Sequence, residues 1–258
     1  MQRILIIGAG FAGMYAALSA ARLRDLDKDS PDTLEIMLVA PEPRLVIRPR
    51  LYERAPETMV ASLSELFDAV DVRYEQGRVD VIDSTSKSVM MVGSDGIRRS
   101  LPYDRLVLAA GSQGFKPDIP GLAEYGFTVD QLDDAIALDH HLNALANRPS
   151  SVARDTAVVC GGGFTGIEVA TEMPSRLRVI LGPKANVRVI IVDRNEAIAP
   201  AMGPNPRPLI EKALREAGVE TKLGVGVSAL NESSVTLSNG QSIESATESG
   251  RPACGQIR

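Results

Sequence analysis

The pattern Gly-x-Gly-x-x-Gly occurs twice in this chain, as Gly8-Ala9-Gly10-Phe11-Ala12-Gly13 and as Gly161-Gly162-Gly163-Phe164-Thr165-Gly166. Each copy directly follows a short apolar run, Arg3-Ile4-Leu5-Ile6-Ile7 and Ala157-Val158-Val159-Cys160, and each opens a longer stretch suited to a helix. Runs this short are strand material, and an unbroken apolar run fits a parallel strand covered on both faces. Strand, tight turn and helix therefore follow one another without a gap. In such a turn the first glycine permits the sharp bend. The second removes a side chain that would hold a pyrophosphate off the backbone, and the third lets helix and strand pack closely. The helix start offers unpaired N–H groups and a partial positive charge to phosphate.

The same order of elements surrounds each copy. After the first helix comes a strand over residues 33–39, a short helix over 62–70 and a strand over 72–74. Val79, Val81, Val89, Met91 and Ile97 then alternate with polar residues around turns at Asp83-Ser84 and Gly93-Ser94-Asp95-Gly96, which predicts a three-stranded antiparallel meander over 77–101. A buried strand over 106–112 ends the first half. The second half has a helix over 167–181, interrupted by Pro174, and a strand over 187–192 ended by Asp193. A helix over 208–217 stops at Gly218, and a second meander over 230–237 turns at Asn239-Gly240. This internal repeat predicts an α/β fold of two Rossmann-like, doubly wound modules, each carrying an antiparallel β-meander. Pro117, Pro120 and Gly121 mark the boundary, giving domains over 1–118 and 119–243 and a tail over 244–258.

Composition excludes several other classes. At 258 residues, 44% hydrophobic and 24% charged, the chain is globular, and a net charge of -5 with scattered basic residues gives no nucleic-acid footprint. Its two cysteines, Cys160 and Cys254, are too far apart in sequence for a CxxC redox pair, and they favour a reducing, cytoplasmic location. No stretch is long enough to span a membrane. His140 and His141 are adjacent on a helix over 132–146, cannot face one ligand together, and read as ordinary helix surface; no metal site is expected. Arg44, Arg48 and Arg50 can hold an anion or lie exposed in solvent.

Two such modules with Tyr103-Asp104-Arg105-Leu106-Val107-Leu108-Ala109-Ala110-Gly111-Ser112 between them resemble the two-dinucleotide-binding-domain flavoproteins, the pyridine nucleotide-disulfide oxidoreductase superfamily. Residues 161–172, ending in Ile167-Glu168-Val169-Ala170-Thr171-Glu172, look most like the type II NADH dehydrogenases. The resemblance implies FAD in the first module and NADH, less readily NADPH, in the second. It implies that Gly8, Gly10, Phe11, Ala12 and Gly13 meet the FAD pyrophosphate, Val79 the adenine through its backbone, and Ala110 and Gly111 the cofactor at the domain junction. Gly161, Gly162, Gly163, Phe164, Thr165 and Gly166 would take the NADH pyrophosphate and Asp193 the adenosine ribose. Glu168 and Glu172 match family carboxylates near the nicotinamide and flavin rings. The implied activity is FAD-dependent oxidation of NADH with electrons passed to a quinone or another small acceptor. An NADH-dependent ferredoxin reductase serving a small redox protein, or a nucleotide-binding remnant without turnover, are the alternatives. Members of the full-length family can be membrane-peripheral; oligomeric state is not legible.

Departures from the family pattern carry their own expectations. Ala40 stands where an acid usually holds the FAD ribose; Glu42, two residues on, can reach it or remain a solvated loop carboxylate. Relative to the family the chain reads as C-terminally truncated, without its later Gly-Asp strand, so FAD is expected to bind poorly. Residues 248–258 are polar where a buried apolar strand is expected, and one permitted set of codons, read in a shifted frame, spells such a strand. The expectation is a frameshifted tail in which residues after Thr247 pack against nothing.

Overall fold

A computed structural model describes residues 2–26, 34–115 and 117–250. They form two compact units, one from the residues up to Ile47 together with Val60–Ser112, the other from Arg48–Met59 together with the residues after Ser112. The division thus falls earlier than residue 118, and the Pro/Arg-rich segment 48–59 goes with the second unit rather than the first.

The first unit contains β1 (Gln2–Ile7), α1 (Phe11–Leu26), β2 (Leu34–Ala40), β3 (Arg44–Val46), β4 (Val60–Ser62), α2 (Ser64–Ala69), β5 (Arg73–Asp83), β6 (Ser88–Gly93), β7 (Arg98–Pro102) and β8 (Arg105–Leu108). Its sheet has the order β7-β6-β5-β2-β1-β8. The first residues of β5 pair parallel with β2, and from Gly77 onward the same strand pairs antiparallel with β6, so one strand joins the parallel core to the meander. Side chains alternate between the two faces, as strand geometry requires. Ile6, Ile36 and Leu38 meet Met14, Ala17 and Ala21 of α1 on one face. Leu5, Ile7, Met37 and Val39 meet Val89 and Met91 of the meander on the other. Every apolar residue in these runs is therefore used. The strand expected over 106–112 ends at Leu108, because the backbone from Ala109 turns in against Gly8.

The second unit contains α3 (Leu122–Tyr125), β9 (Gly126–Phe127), α4 (Leu132–Ala144), α5 (Val152–Asp155), β10 (Thr156–Cys160), α6 (Phe164–Leu181), β11 (Arg188–Asp193), α7 (Arg207–Ala217), β12 (Val219–Leu223), β13 (Val227–Asn231), β14 (Ser234–Leu237), β15 (Ser242–Glu244) and β16 (Thr247–Gly250). The main sheet is parallel with the order β12-β11-β10-β16-β9, and β13-β14-β15 form a separate antiparallel sheet. Val158, Cys160, Ile190 and Val192 face Leu230, Val235, Leu237 and Ile243 of that smaller sheet. Helix α6 packs on β10 and β11 and runs unbroken through Pro174, not interrupted there as expected. A proline inside a helix costs on the order of 3 kcal/mol. The buried stripe Val169, Ala170, Met173 and Leu177 offsets it. His141 is not ordinary surface either: its ring lies 4.5 Å from that of Phe127, and Nε2 is 2.9 Å from Thr247 Oγ1.

The two units repeat each other strand for strand at the turn: β1 corresponds to β10, β2 to β11 and β8 to β16. Leu5 pairs with Leu106, and the equivalent Val158 pairs with Glu248. Glu248 therefore stands where the first unit has leucine. It is buried, as is Ser249, so the expectation that residues after Thr247 pack against nothing is wrong for these two; residues 251–258 lie outside the described residues. Strands β10 and β9 leave a slot between them that any extended backbone can fill. The side chain is the misfit. Neither Glu248 carboxylate oxygen has a hydrogen-bond partner. Burial pushes its pKa up to about 7, with the nearby Cys160 thiol pulling the other way.

A carboxyl whose folded pKa lies above its unfolded value binds a proton more tightly in the fold. Its contribution is fully present below the unfolded pKa and is lost as pH rises through the folded one. We expect unfolding free energy to fall by about 3 kcal/mol between pH 4.5 and 7 from this group. Glu248→Leu should abolish that slope and raise stability at neutral pH. Urea unfolding across this pH range checks it, and an unchanged slope in the variant would contradict the assignment.

Candidate functional site

Both glycine turns are built by the same contacts. Gly8 has φ 106° and Gly161 φ 101°, a left-handed backbone that side chains resist. Their N–H groups donate to the Val39 and Val192 carbonyls, each at 2.8 Å. A Cβ at Gly8 would strike the Ala109 carbonyl, one at Gly13 the Gly8 carbonyl, and one at Gly166 the Gly161 carbonyl. Gly10 and Gly163 differ: a Cβ there would project into open space. Nothing within the protein demands glycine at those two positions, and a group lying across the turn would. The helical ladders begin with Met14 N–H to Gly10 and Ile167 N–H to Gly163, at 2.9 and 3.0 Å, so the N–H groups of residues 11–13 and 164–166 precede it. Neither helix has an acidic residue in its first turn. The chemistry suits a diphosphate at each turn.

In the first unit the fold gathers Gly8, Gly10, Phe11, Ala12, Gly13, Ala110 and Gly111. Ala110 Cα would be 3.2 Å from a Gly8 Cβ, and Gly111 has φ 73°. Val79 stands apart, partly buried against the cluster that holds Leu5 and Ile7. Glu42 is exposed and ion-paired with Arg44 at 2.8 Å. The other arginines of this stretch are matched too, Arg48 with Asp130 at 2.7 Å and Arg50 with both oxygens of Glu53 at 2.6 Å. Each of the three thus has a carboxylate partner within the chain.

In the second unit Gly161, Gly163, Phe164, Thr165, Gly166, Asp193 and Asn195 line a cavity of about 330 Å³ with residues 199–202. A second cavity, of about 200 Å³, shares Gly161 and Asp193 and adds Arg194, Gly226 and Val227. Asp193 is buried at the meeting of the two. One carboxylate oxygen accepts the Gly162 N–H, and the other accepts the backbone and side-chain N–H of Asn195 at 2.7 Å each. Gly162 is itself confined, since a Cβ would meet Ile198 and come within 3.3 Å of that carboxylate. Cys160 is buried behind the turn, its thiol pushed well above its ordinary range by burial first and then by Glu248. It is a core residue.

Glu168 and Glu172 lie further along α6, on one face at i and i+4. Burial raises the Glu168 pKa. Their surroundings come from distant parts of the chain and carry almost no local sequence signal. Arg54 Nε is 4.0 Å from Glu172, and the Tyr52 phenol is pushed up by burial, then by Glu168, Glu53 and Glu172, with Arg50 pulling it down. Buried Arg176 donates to the Tyr52 carbonyl at 2.8 Å and to Asp139 at 2.6 Å. One signal was available: Arg176 sits three residues after Met173, inside the apolar stripe of α6. Among the described residues no cluster of His, Cys, Asp and Glu could hold a metal ion, and no helix is long and apolar enough to cross a membrane.

Asp193→Ala leaves the Gly162 N–H and Asn195 without their acceptor. It should lower the unfolding free energy of the ligand-free protein by about 2 kcal/mol, the usual cost of orphaning buried donors. Urea melts without nucleotide measure this; an unchanged midpoint would mean the carboxylate does not hold the turn.

Residues 2–247 match the pyridine nucleotide-disulphide oxidoreductase family. An NADH dehydrogenase-like protein of Mycobacterium tuberculosis is 41% identical over 249 residues, covering 96% of this chain and 61% of that protein. A demethylphylloquinone reductase of Synechocystis is 32% identical over 241 residues, covering 91% of this chain and 57% of that protein. NDH2 of Plasmodium falciparum, solved in complex with NADH, superposes with a TM-score of 0.80 at 17% identity, over 99% of this chain and 56% of that one, a likeness of fold. The chain spans about 60% of the length of the two curated relatives. It belongs to the pyridine nucleotide-disulphide oxidoreductase family.

Proposed function

We propose that this chain holds FAD at the first glycine turn and NADH at the second, and serves the oxidation of NADH with electrons passed to a quinone or another small acceptor. The observation that carries this reading is the pair of open Cβ positions, at Gly10 and Gly163, each before a helix start that has no acid of its own. FAD supplies the two-electron oxidation of the nicotinamide when bound. The protein's part is geometric and electrostatic. Backbone N–H groups of Phe11, Ala12 and Gly13, and of Phe164, Thr165 and Gly166, orient the two diphosphates. Asp193, fixed by Gly162 and Asn195, presents its carboxylate between the two cavities, where it meets the adenosine ribose and repels a 2′-phosphate. Glu168, its pKa raised, and Glu172 hold or exchange protons toward the nicotinamide end.

The first turn grips its cofactor less firmly than the second. Ala40 offers no carboxylate where Asp193 stands in the second unit, and Glu42 is engaged with Arg44.

Titrating purified protein with NADH and NADPH should show tighter binding of NADH. Equal or tighter NADPH binding would overturn the role given to Asp193. The protein should be yellow when loaded with FAD and should lose flavin on gel filtration, and stoichiometric flavin surviving that step would overturn the weak-grip reading.

A further inference from the structure

Glu168, Glu172 and Arg176 lie at i, i+4 and i+8 on α6, one line along one face. The segment 48–59 is joined to that line. Arg176 Nη1 donates to the Tyr52 carbonyl at 2.8 Å, and Nη2 to Asp139 of α4 at 2.6 Å. Arg54 Nε stands 4.0 Å from Glu172. The near end of the segment is fixed separately by Arg48, which binds the Asp130 carbonyl and carboxylate at 3.0 and 2.7 Å.

Arg176 is 3% exposed, and its Nε has no hydrogen-bond partner. Burying a cation so deeply is expensive, and an apolar residue in this stripe would pack without that cost. What an apolar residue cannot do is grip a backbone carbonyl and a carboxylate in a fixed fork.

We propose that Arg176 is a positioning residue for the nucleotide site: its guanidinium pins residues 48–59 along α6 and so holds Tyr52 and Arg54 against Glu168 and Glu172, as a wall at the nicotinamide end. The placement of the nicotinamide rests on the function proposed above. The wall itself does not. The Tyr52 phenol is pushed up by burial first and then by Glu168, Glu53 and Glu172, with Arg50 opposing them. The phenol therefore reports whether the segment is docked. The chain has five tyrosines and no tryptophan, so tyrosinate absorbance can be followed directly and Tyr52→Phe assigns the signal.

The test compares wild type, Arg176→Met and Arg176→Lys. In the methionine variant trypsin should cut after Arg50 and Arg54 about tenfold faster, because cleavage tracks the population in which the segment is open. The Tyr52 phenol should titrate closer to an ordinary tyrosine. Lysine keeps the charge beside Asp139 but cannot fork, and should fall between the two. NADH affinity should drop to that of ADP-ribose, which lacks the nicotinamide, while ADP-ribose affinity stays at the wild-type value. Folded variants with wild-type proteolysis and phenol titration would overturn the proposal. So would failure of both variants to fold, since the arginine would then be holding the core together. If wild type binds neither NADH nor ADP-ribose, the nucleotide reading fails instead, and proteolysis and the phenol still decide the role of Arg176.

Discussion

The structure depends on how closely a turn of backbone approaches the strands beside it. Gly8 and Gly161 give their N–H groups to the neighbouring strand while Gly13 and Gly166 press the following helix onto the same turn. A Cβ at Gly8, Gly13 or Gly166 would strike a backbone carbonyl, and Gly161 holds a left-handed φ that side chains resist. The consequence is a helix start delivered at the end of a parallel strand, with its first N–H groups unused. That placement suits an anion such as a diphosphate.

The two units solve one packing problem with different residues, and the differences are informative. Each sheet buries one face under a helix and the other under antiparallel strands, with Ile7 and Cys160 in equivalent places facing the latter. At the end of the second strand the first unit has Ala40 and the second has Asp193, whose carboxylate braces its own turn. At the strand on the far side the first unit has Leu106 and the second has Glu248, a carboxyl with no partner. The first difference bears on how the turn is braced, the second on stability and its pH dependence. Helix α6 serves two ends at once: its apolar stripe covers β10 and β11, while Glu168, Glu172 and Arg176 arrange the segment 48–59.

Much of this was legible in the sequence because its signals are local. Glycine spacing fixed the turns, short apolar runs fixed the parallel strands, and alternation at Val79, Val81, Val89 and Met91 fixed the meander. The repeat of these signals determined that there are two such modules and which residues stand at each turn. What the tertiary structure alone decided is long-range. Residues 48–59 leave the first half of the chain because Arg176, 124 positions from Tyr52, grips a backbone carbonyl, and a carbonyl carries no sequence identity to read. Glu248 and Ser249 enter the core because strand pairing is made by backbone groups, which accept a polar residue where pattern reading expects none. Asp193 was legible as a carboxylate at a strand end. That its oxygens hold Gly162 and Asn195 was settled only when the turn folded back over it.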